Sequence, residues 1–268
     1  MRRRSTGLLT IAAFGYAFLY LPIVSVIVYS FNDSRLVTLW GGASLRWYRA
    51  LLQSEDILSS ALLSLQIAVV SATVATLLGT LTGLALSRLG RFRGRTLLTG
   101  MVTSPLVMPE IITGISLLFL FISMATWFGW PASRGATTIT IAHVTFSLAY
   151  VTVVVRSRLS GMDESLEEAA MDLGGRPLRV FFDVTVPSIA PAMISGWLLS
   201  FTLSLDDVVI ASFVSGPGAT TLPMLIFSKV KLGVTPDINA LATVIIVLVS
   251  IGVITAAMLT RSKPQLRE

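Results

Sequence analysis

The sequence predicts an all-α membrane protein with six transmembrane helices. Three observations carry that prediction. The 268 residues are 54% hydrophobic and only 13% charged, six long runs are nearly free of charge, and basic residues gather in alternate connections between those runs. Soluble chains usually carry about 25% charged residues, so this composition belongs in a bilayer. The absence of cysteine excludes disulfides, thiol nucleophiles and Cys-based metal sites. A single histidine, His143, excludes a multi-histidine centre, so no metal is expected. The net charge of +6 is spread between apolar runs and not gathered on one surface. Nucleic acid is therefore not an expected partner, and the bilayer is.

A hydrocarbon core about 30 Å thick needs about 20 apolar residues in a helix. Residues 8–31 and 57–87 meet this without a charge; the second run is long enough to span with tilt or overhang. The run 96–122 holds one acid, Glu110, and 135–155 holds none. The run 188–214 contains Asp206 and Asp207, and 238–260 is again uncharged. The chain reads as one transmembrane domain over residues 1–268, with a polar loop at 156–187. Met1-Arg2-Arg3-Arg4 resembles a signal-peptide start, but the apolar run behind it is about twice the 7–15 residues of such signals. A retained first helix is the reading.

Orientation follows from the excess of Lys and Arg on the cytoplasmic side. With both termini inside, the inner segments hold fourteen basic residues: Arg2, Arg3, Arg4, Arg88, Arg91, Arg93, Arg95, Arg156, Arg158, Arg176, Arg179, Arg261, Lys263 and Arg267. The outer segments hold six: Arg35, Arg46, Arg49, Arg134, Lys229 and Lys231. This predicts cytoplasmic termini and a cytoplasmic 156–187 loop.

Within that loop, Ser165 and Glu168 have capping-box spacing, and Asp163 and Glu164 add negative charge where a helix start is positive. Leu166, Ala169, Ala170 and Leu173 fall on one helical face. Gly174-Gly175 supplies the left-handed stop, and Pro177 suits the first position of a second short helix. Leu178, Phe181, Phe182 and Val184 give that helix an apolar side, and Pro187 and Pro191 are expected to break it before the fifth span. The result is a compact helix-turn-helix. It either packs on its own bundle or docks a partner.

Ionisable groups within a span are costly, and they are functional candidates by default. Glu110, Asp206 and Asp207 qualify, with no Lys or Arg inside a span to pair with them, which suits a cationic substrate. Adjacent aspartates on a helix diverge by about 100°, so at most one can face a pore. Pro105 and Pro109 free backbone carbonyls before Glu110, and broken helices often mark transport sites. A protonated, purely structural Glu110 is the other reading. His143 is expected to be a buried, hydrogen-bonded packing residue. Trp47 and Tyr48, with Trp40, suit interfacial anchoring or a cation–π cage for an ammonium group. Ser215–Pro223 is turn-rich but no phosphate loop, and GxxxxGK[ST] is absent throughout. No catalytic constellation is visible, so the chain is read as a non-enzyme.

Glu168-Ala169-Ala170, Gly174 and Val184-Thr185-Val186-Pro187 resemble the coupling loop of ABC importer permeases. That loop reads EAA, three residues, Gly, nine residues, then aliphatic-x-aliphatic-Pro, and every spacing holds here. Gly175, often alanine in the family, and the two valines are mild departures. Phe31-Asn32, Arg46-Trp47-Tyr48, Pro105–Glu110, Leu203–Asp207 and Ser215–Pro223 are similar to the polyamine branch, to the putrescine system first and the spermidine system next. The resemblance implies the type I ABC importer permease fold in a bacterial inner membrane. It implies ATPase coupling through Leu166, Glu168, Ala169, Ala170, Gly174 and Pro187. It further implies a second homologous permease subunit, two copies of a cytoplasmic ATPase that binds ATP and Mg, and a periplasmic polyamine-binding protein. The chain itself is expected to hold no cofactor. The residues alone leave open a secondary cation transporter using the buried acids for proton coupling, or a scaffold without a pathway.

Overall fold

The computed structural model describes residues 6–36, 39–233 and 235–261. Five residues of the topology count, Arg2, Arg3, Arg4, Lys263 and Arg267, lie outside them. In chain order the elements are α1 (Thr6–Tyr29), α2 (Arg46–Gln53), α3 (Glu55–Arg88), α4 (Arg95–Val107), α5 (Glu110–Phe128), α6 (Ala136–Ser160), α7 (Ser165–Asp172) and α8 (Pro177–Val180), then a π-turn (Phe181–Thr185), α9 (Val186–Asp206), α10 (Val209–Val214), α11 (Leu222–Leu232) and α12 (Pro236–Arg261). No strand occurs among the described residues. Among the described residues, five segments are long and apolar enough to cross a membrane: Gly7–Tyr29, Glu55–Arg88, Glu110–Phe128, Ala136–Ser160 and Pro177–Asp206. Pro236–Ile251 is apolar but shorter. The all-α fold class read from composition and run length is the one observed.

The chain divides into two units, residues 1–58 with 226–268, and residues 59–225. In the first, α12 packs against α1 and α2. The connection between α1 and α2 is organised by Asn32, which is fully buried. Its amide donates to Leu39 O at 2.8 Å and accepts from Gly41 N at 2.8 Å. Lys229 and Asp237 pair at 3.0 Å near the start of α12.

In the second unit α6 is the central helix, packed by α4, α9 and α10. One apolar cluster joins Leu117 and Phe121 of α5, Ile139 and Phe146 of α6, and Ile210 and Val214 of α10. Another joins Ala75 of α3, Val151 and Val155 of α6, and Ile189 of α9. Lipid tails are as apolar as leucine, so helices in a bilayer associate through close packing and small residues. Val151 shows this directly. A Cβ on Gly79 would lie 2.7 Å from Val151 Cγ1, and one on Gly196 would lie 3.3 Å from the same atom. Glycines on α3 and α9 therefore let both backbones close on one α6 side chain.

The helix break read from Pro105 and Pro109 is found, and two other expectations are corrected. Within the third span α4 ends at Val107, and Glu110 is the first residue of α5, with Met108 extended at φ −74°, ψ 134° between them. Proline disfavours helical geometry in the residue before it, so Pro109 fixes the break at Met108, while Pro105 is absorbed inside α4. The fifth span is also broken. α9 stops at Asp206, and Asp207 is extended at ψ 124° before α10 begins. The two aspartates therefore do not share a continuous helix. Finally, Pro187 and Pro191 do not break the chain before the fifth span. Pro187 sits in the first turn of α9 and Pro191 inside it. The irregularity is the π-turn just before them; widening the helix there accommodates a proline ring that would crowd the carbonyl four residues back.

Gly79→Ala is expected to lower stability by about 1–3 kcal/mol through overpacking against Val151. Gly100→Ala is the control, because nothing lies within 4 Å of its added Cβ; it should be neutral or mildly stabilising. Thermal unfolding midpoints of the two variants in detergent test this, and equal midpoints would remove the close-packing account.

Candidate functional site

The two helix breaks open onto one cavity of about 450 Å³ in the second unit. Pro105, Met108, Pro109 and Glu110 line it from the first break, Phe146 and Tyr150 from α6, and Asp206 and Asp207 from the second break. The structure thus brings together the three acids singled out in the sequence. No Lys or Arg lines the cavity. Glu110 stands in the first turn of α5, where the helix macrodipole favours a negative charge. Asp206 is exposed, and its carboxylate makes no ion pair among the described residues.

Asp207 is held differently. Its Oδ1 accepts from Ile210 N at 3.2 Å and its Oδ2 from Ala211 N at 2.7 Å, so it caps the start of α10. Oδ2 also lies 3.1 Å from His143 Nε2, with both side chains almost wholly buried. His143 Nδ1 lies 2.6 Å from Ser204 Oγ, which in turn accepts from Ser71 Oγ at 3.1 Å. One buried network therefore ties α3, α6, α9 and α10 together at the second break. The packing role read for His143 is observed, but its pairing with Asp207 was missed. The signal for that pairing in the sequence is that His143 is the one base within the spans that is neither Lys nor Arg.

Trp47 and Tyr48 belong to the other unit. Trp47 Nε1 donates to Asn32 O at 2.7 Å, and the Arg46 guanidinium carbon stands 5.1 Å from its ring centroid. The Tyr48 hydroxyl is 2.6 Å from Ser30 Oγ, and its ring packs against Phe31. Both polar tips are thus engaged in ordering the α1–α2 connection.

The 156–187 loop folds as α7, a glycine turn and α8. Ser165 is the first residue of α7 and makes no side-chain cap, so the expected capping box does not form. The capping oxygen comes from two residues earlier, where Asp163 Oδ1 accepts from Ser165 N at 3.0 Å. The Ser165 hydrogen bonds hold the Asp163 carboxyl below its usual value. This contribution to order is therefore present above the unfolded pKa and is lost only as pH falls through the depressed one. At the other end Gly174 takes φ 87°, Gly174 N donates to Met171 O and Gly175 N to Ala170 O, a Schellman stop. Arg88 of α3 pairs with Glu164 and, at 3.3 Å, with Glu167. Glu167 Oε1 accepts from Thr185 Oγ1 at 2.9 Å. These contacts anchor α7 to the end of α3 and to the π-turn before α9. Leu166, Glu168, Ala169 and Gly174 stay exposed and Ala170 is half-buried, beside exposed Leu173, Leu178 and Phe182. Pro187 is exposed in the first turn of α9.

Membrane-length helices with two breaks, an acid-lined cavity and an exposed coupling-type loop define a transport permease. Residues 75–268 match the family described as "Binding-protein-dependent transport system inner membrane component", and the chain belongs to that family. It is 57% identical over 263 residues to the "Putrescine transport system permease protein PotI" of Escherichia coli (strain K12), covering 98% of this chain and 94% of that protein. It is 44% identical over 248 residues to the "Spermidine/putrescine transport system permease protein PotC" of the same organism, covering 92% and 91%. A crystal structure of a bacterial ABC transporter involved in import of the acidic polysaccharide alginate shares the fold, with a TM-score of 0.72 at 16% identity over 98% of this chain and 99% of that one. The type I ABC importer permease fold expected from the loop motif is the fold of this chain.

His143→Ala removes one buried partner from Asp207 and one from Ser204, and should cost about 2–3 kcal/mol, the weight of a hydrogen bond to a charged group. Asp206→Asn should leave stability unchanged or raise it, since no partner is lost. Unfolding of the two purified variants distinguishes them; a larger loss in Asp206→Asn would reverse the assignment of roles.

Proposed function

We propose that this chain is the permease subunit of an ATP-driven importer of small polyamines, putrescine first and spermidine second. The observation that carries the reading is the cavity in which Glu110 and Asp206 meet without a lining Lys or Arg. A diamine carries positive charge at each end, and two separated carboxylates complement it. The names of the 57% and 44% identical relatives support the same substrate class. Asp206 and Glu110 receive the ammonium groups in the pathway, and Asp207 positions the wall. Trp47 and Tyr48 serve as anchors of the outer connection.

Leu166, Glu168, Ala169, Ala170 and Gly174 form the surface that docks a cytoplasmic ATPase, and Pro187 shapes the return into α9. Exposure of Leu166, Leu173 and Leu178 supports a docked partner, because a loop that only packed on its own bundle would cover them. The working assembly has a second homologous permease subunit, two ATPase copies holding ATP and Mg, and a periplasmic polyamine-binding protein. This chain has cytoplasmic termini and binds no cofactor itself.

The assembled transporter in proteoliposomes should take up labelled putrescine only with ATP, and an uncoupler should leave that uptake intact. Asp206→Asn is expected to weaken apparent putrescine affinity about tenfold or more, as loss of a charged hydrogen bond predicts. Glu168→Arg should abolish ATPase association. Uptake that collapses with the uncoupler would instead mark a proton-coupled carrier, and ATP-driven uptake of another solute with putrescine inert would remove the polyamine assignment.

A further inference from the structure

A second, smaller cavity lies where α3 and α6 end and α4 begins. Its volume is about 210 Å³, and Ser87, Arg88, Arg95, Arg156, Ser160 and Glu164 line it. Three guanidinium groups converge there, and they are not equally committed. Arg88 is matched by Glu164 and Glu167. Arg95 donates to Gly90 O and, at 2.8 Å, to Leu86 O. These carbonyls at the end of α3 satisfy its N–H groups without cancelling its charge. Arg156 makes no ion pair among the described residues. Both carboxylates stand on the Arg88 side, so three positive charges face two negative ones and the excess falls between Arg95 and Arg156. Ser87 Oγ is buried there with no hydrogen-bond partner.

We infer that this cavity binds a phosphate-bearing anion, as the singly charged phosphodiester of an anionic lipid headgroup or as free phosphate. A phosphodiester brings one negative charge, which matches the excess of one, and acceptor oxygens for guanidinium N–H groups, whose planar fork suits phosphate geometry. The idle Ser87 hydroxyl supplies a further donor. The C-terminal ends of α3 and α6 disfavour an anion, but Arg95 already covers the α3 carbonyls, and the N-terminus of α4 opens on the same space. Leu86 and Leu159, both almost fully buried, lie among the lining residues and give it an apolar floor. The location also fits a headgroup: α3 and α6 are apolar over a membrane-spanning length, so their polar ends lie where lipid phosphates lie. A bound phosphate would touch the Arg88–Glu164 pair that ties α7 to α3. The loop's anchorage would then depend on the surrounding lipid.

The test is lipid binding to the purified, assembled transporter by native mass spectrometry, using phosphatidylglycerol against phosphatidylcholine, with inorganic phosphate as competitor. The parent should retain phosphatidylglycerol, and Arg156→Gln should bind it about fivefold more weakly, the weight of one basic residue beside an anionic headgroup. Arg156→Lys keeps the charge but not the fork and should bind between the parent and Arg156→Gln. Arg91→Gln with Arg93→Gln removes two exposed charges outside the cavity and should change nothing. Displacement by inorganic phosphate in the parent, and not in Arg156→Gln, assigns the site to free phosphate as well. Equal binding by the parent and Arg156→Gln in both arms, or an equal loss in the Arg91/Arg93 control, overturns the site. The measurement needs no transport, so its failure and that of the polyamine reading are separate results.

Discussion

The contact on which the rest depends is the carboxylate of Asp207 on the first N–H groups of α10. Backbone polar groups exposed at a helix break have no water to turn to inside a bilayer, and an unsatisfied one costs several kcal/mol. Asp207 meets this at Ile210 and Ala211 with one oxygen each. A bare carboxylate there would itself be expensive, and His143 fills its remaining capacity. The ring then reaches Ser204, and through it Ser71. A single interrupted helix is thereby locked to two neighbours, α6 and α3. The cavity wall exists because the interruption is stabilised from the side.

That arrangement gives two adjacent aspartates opposite roles. Asp207 spends its acceptors on the fold and Asp206 spends none on an ion pair. A residue-type reading treats them alike, and helical geometry suggests only that they diverge. The backbone turn at Asp207 separates them further, since Asp206 ends α9 and Asp207 is extended before α10 begins. Both line the cavity, and Asp206 is left without an ion pair because Asp207 is the one that holds the break.

Much of this was legible in the chain and some was not, for identifiable reasons. Composition and run length are properties of whole segments, so the membrane class and the all-α fold were legible, with five described helices of spanning length and one shorter apolar helix. Gly174 stops α7 by a local rule, and Pro109 sets the first break by another. The second break has no proline or glycine at Asp207 or Val208; it is imposed by partners 64 residues away in sequence, which no local window contains. Pro187 shows the converse. The local rule was sound in sterics, but a π-turn satisfied it without ending the helix. The start of α7 is capped by the Asp163 carboxylate, which accepts from Ser165 N, and not by the Ser165 hydroxyl on a later N–H.

The loop and the cavity are joined by one stiff element. Glu167 of α7 bonds Thr185, the residue before α9, and α9 runs 21 residues from there to Asp206. At about 1.5 Å per residue a helix of that length spans about 30 Å, the thickness of the hydrocarbon core. Arg88 fixes the same α7 to the end of α3, whose Ser71 enters the network at Ser204. A displacement of α7 thus has two helical routes to the second break, and both end beside Asp207. On the proposed reading, the ATPase need not act on the substrate site directly. It need only move α7, because the elements that hold α7 also hold the wall on which Asp206 stands.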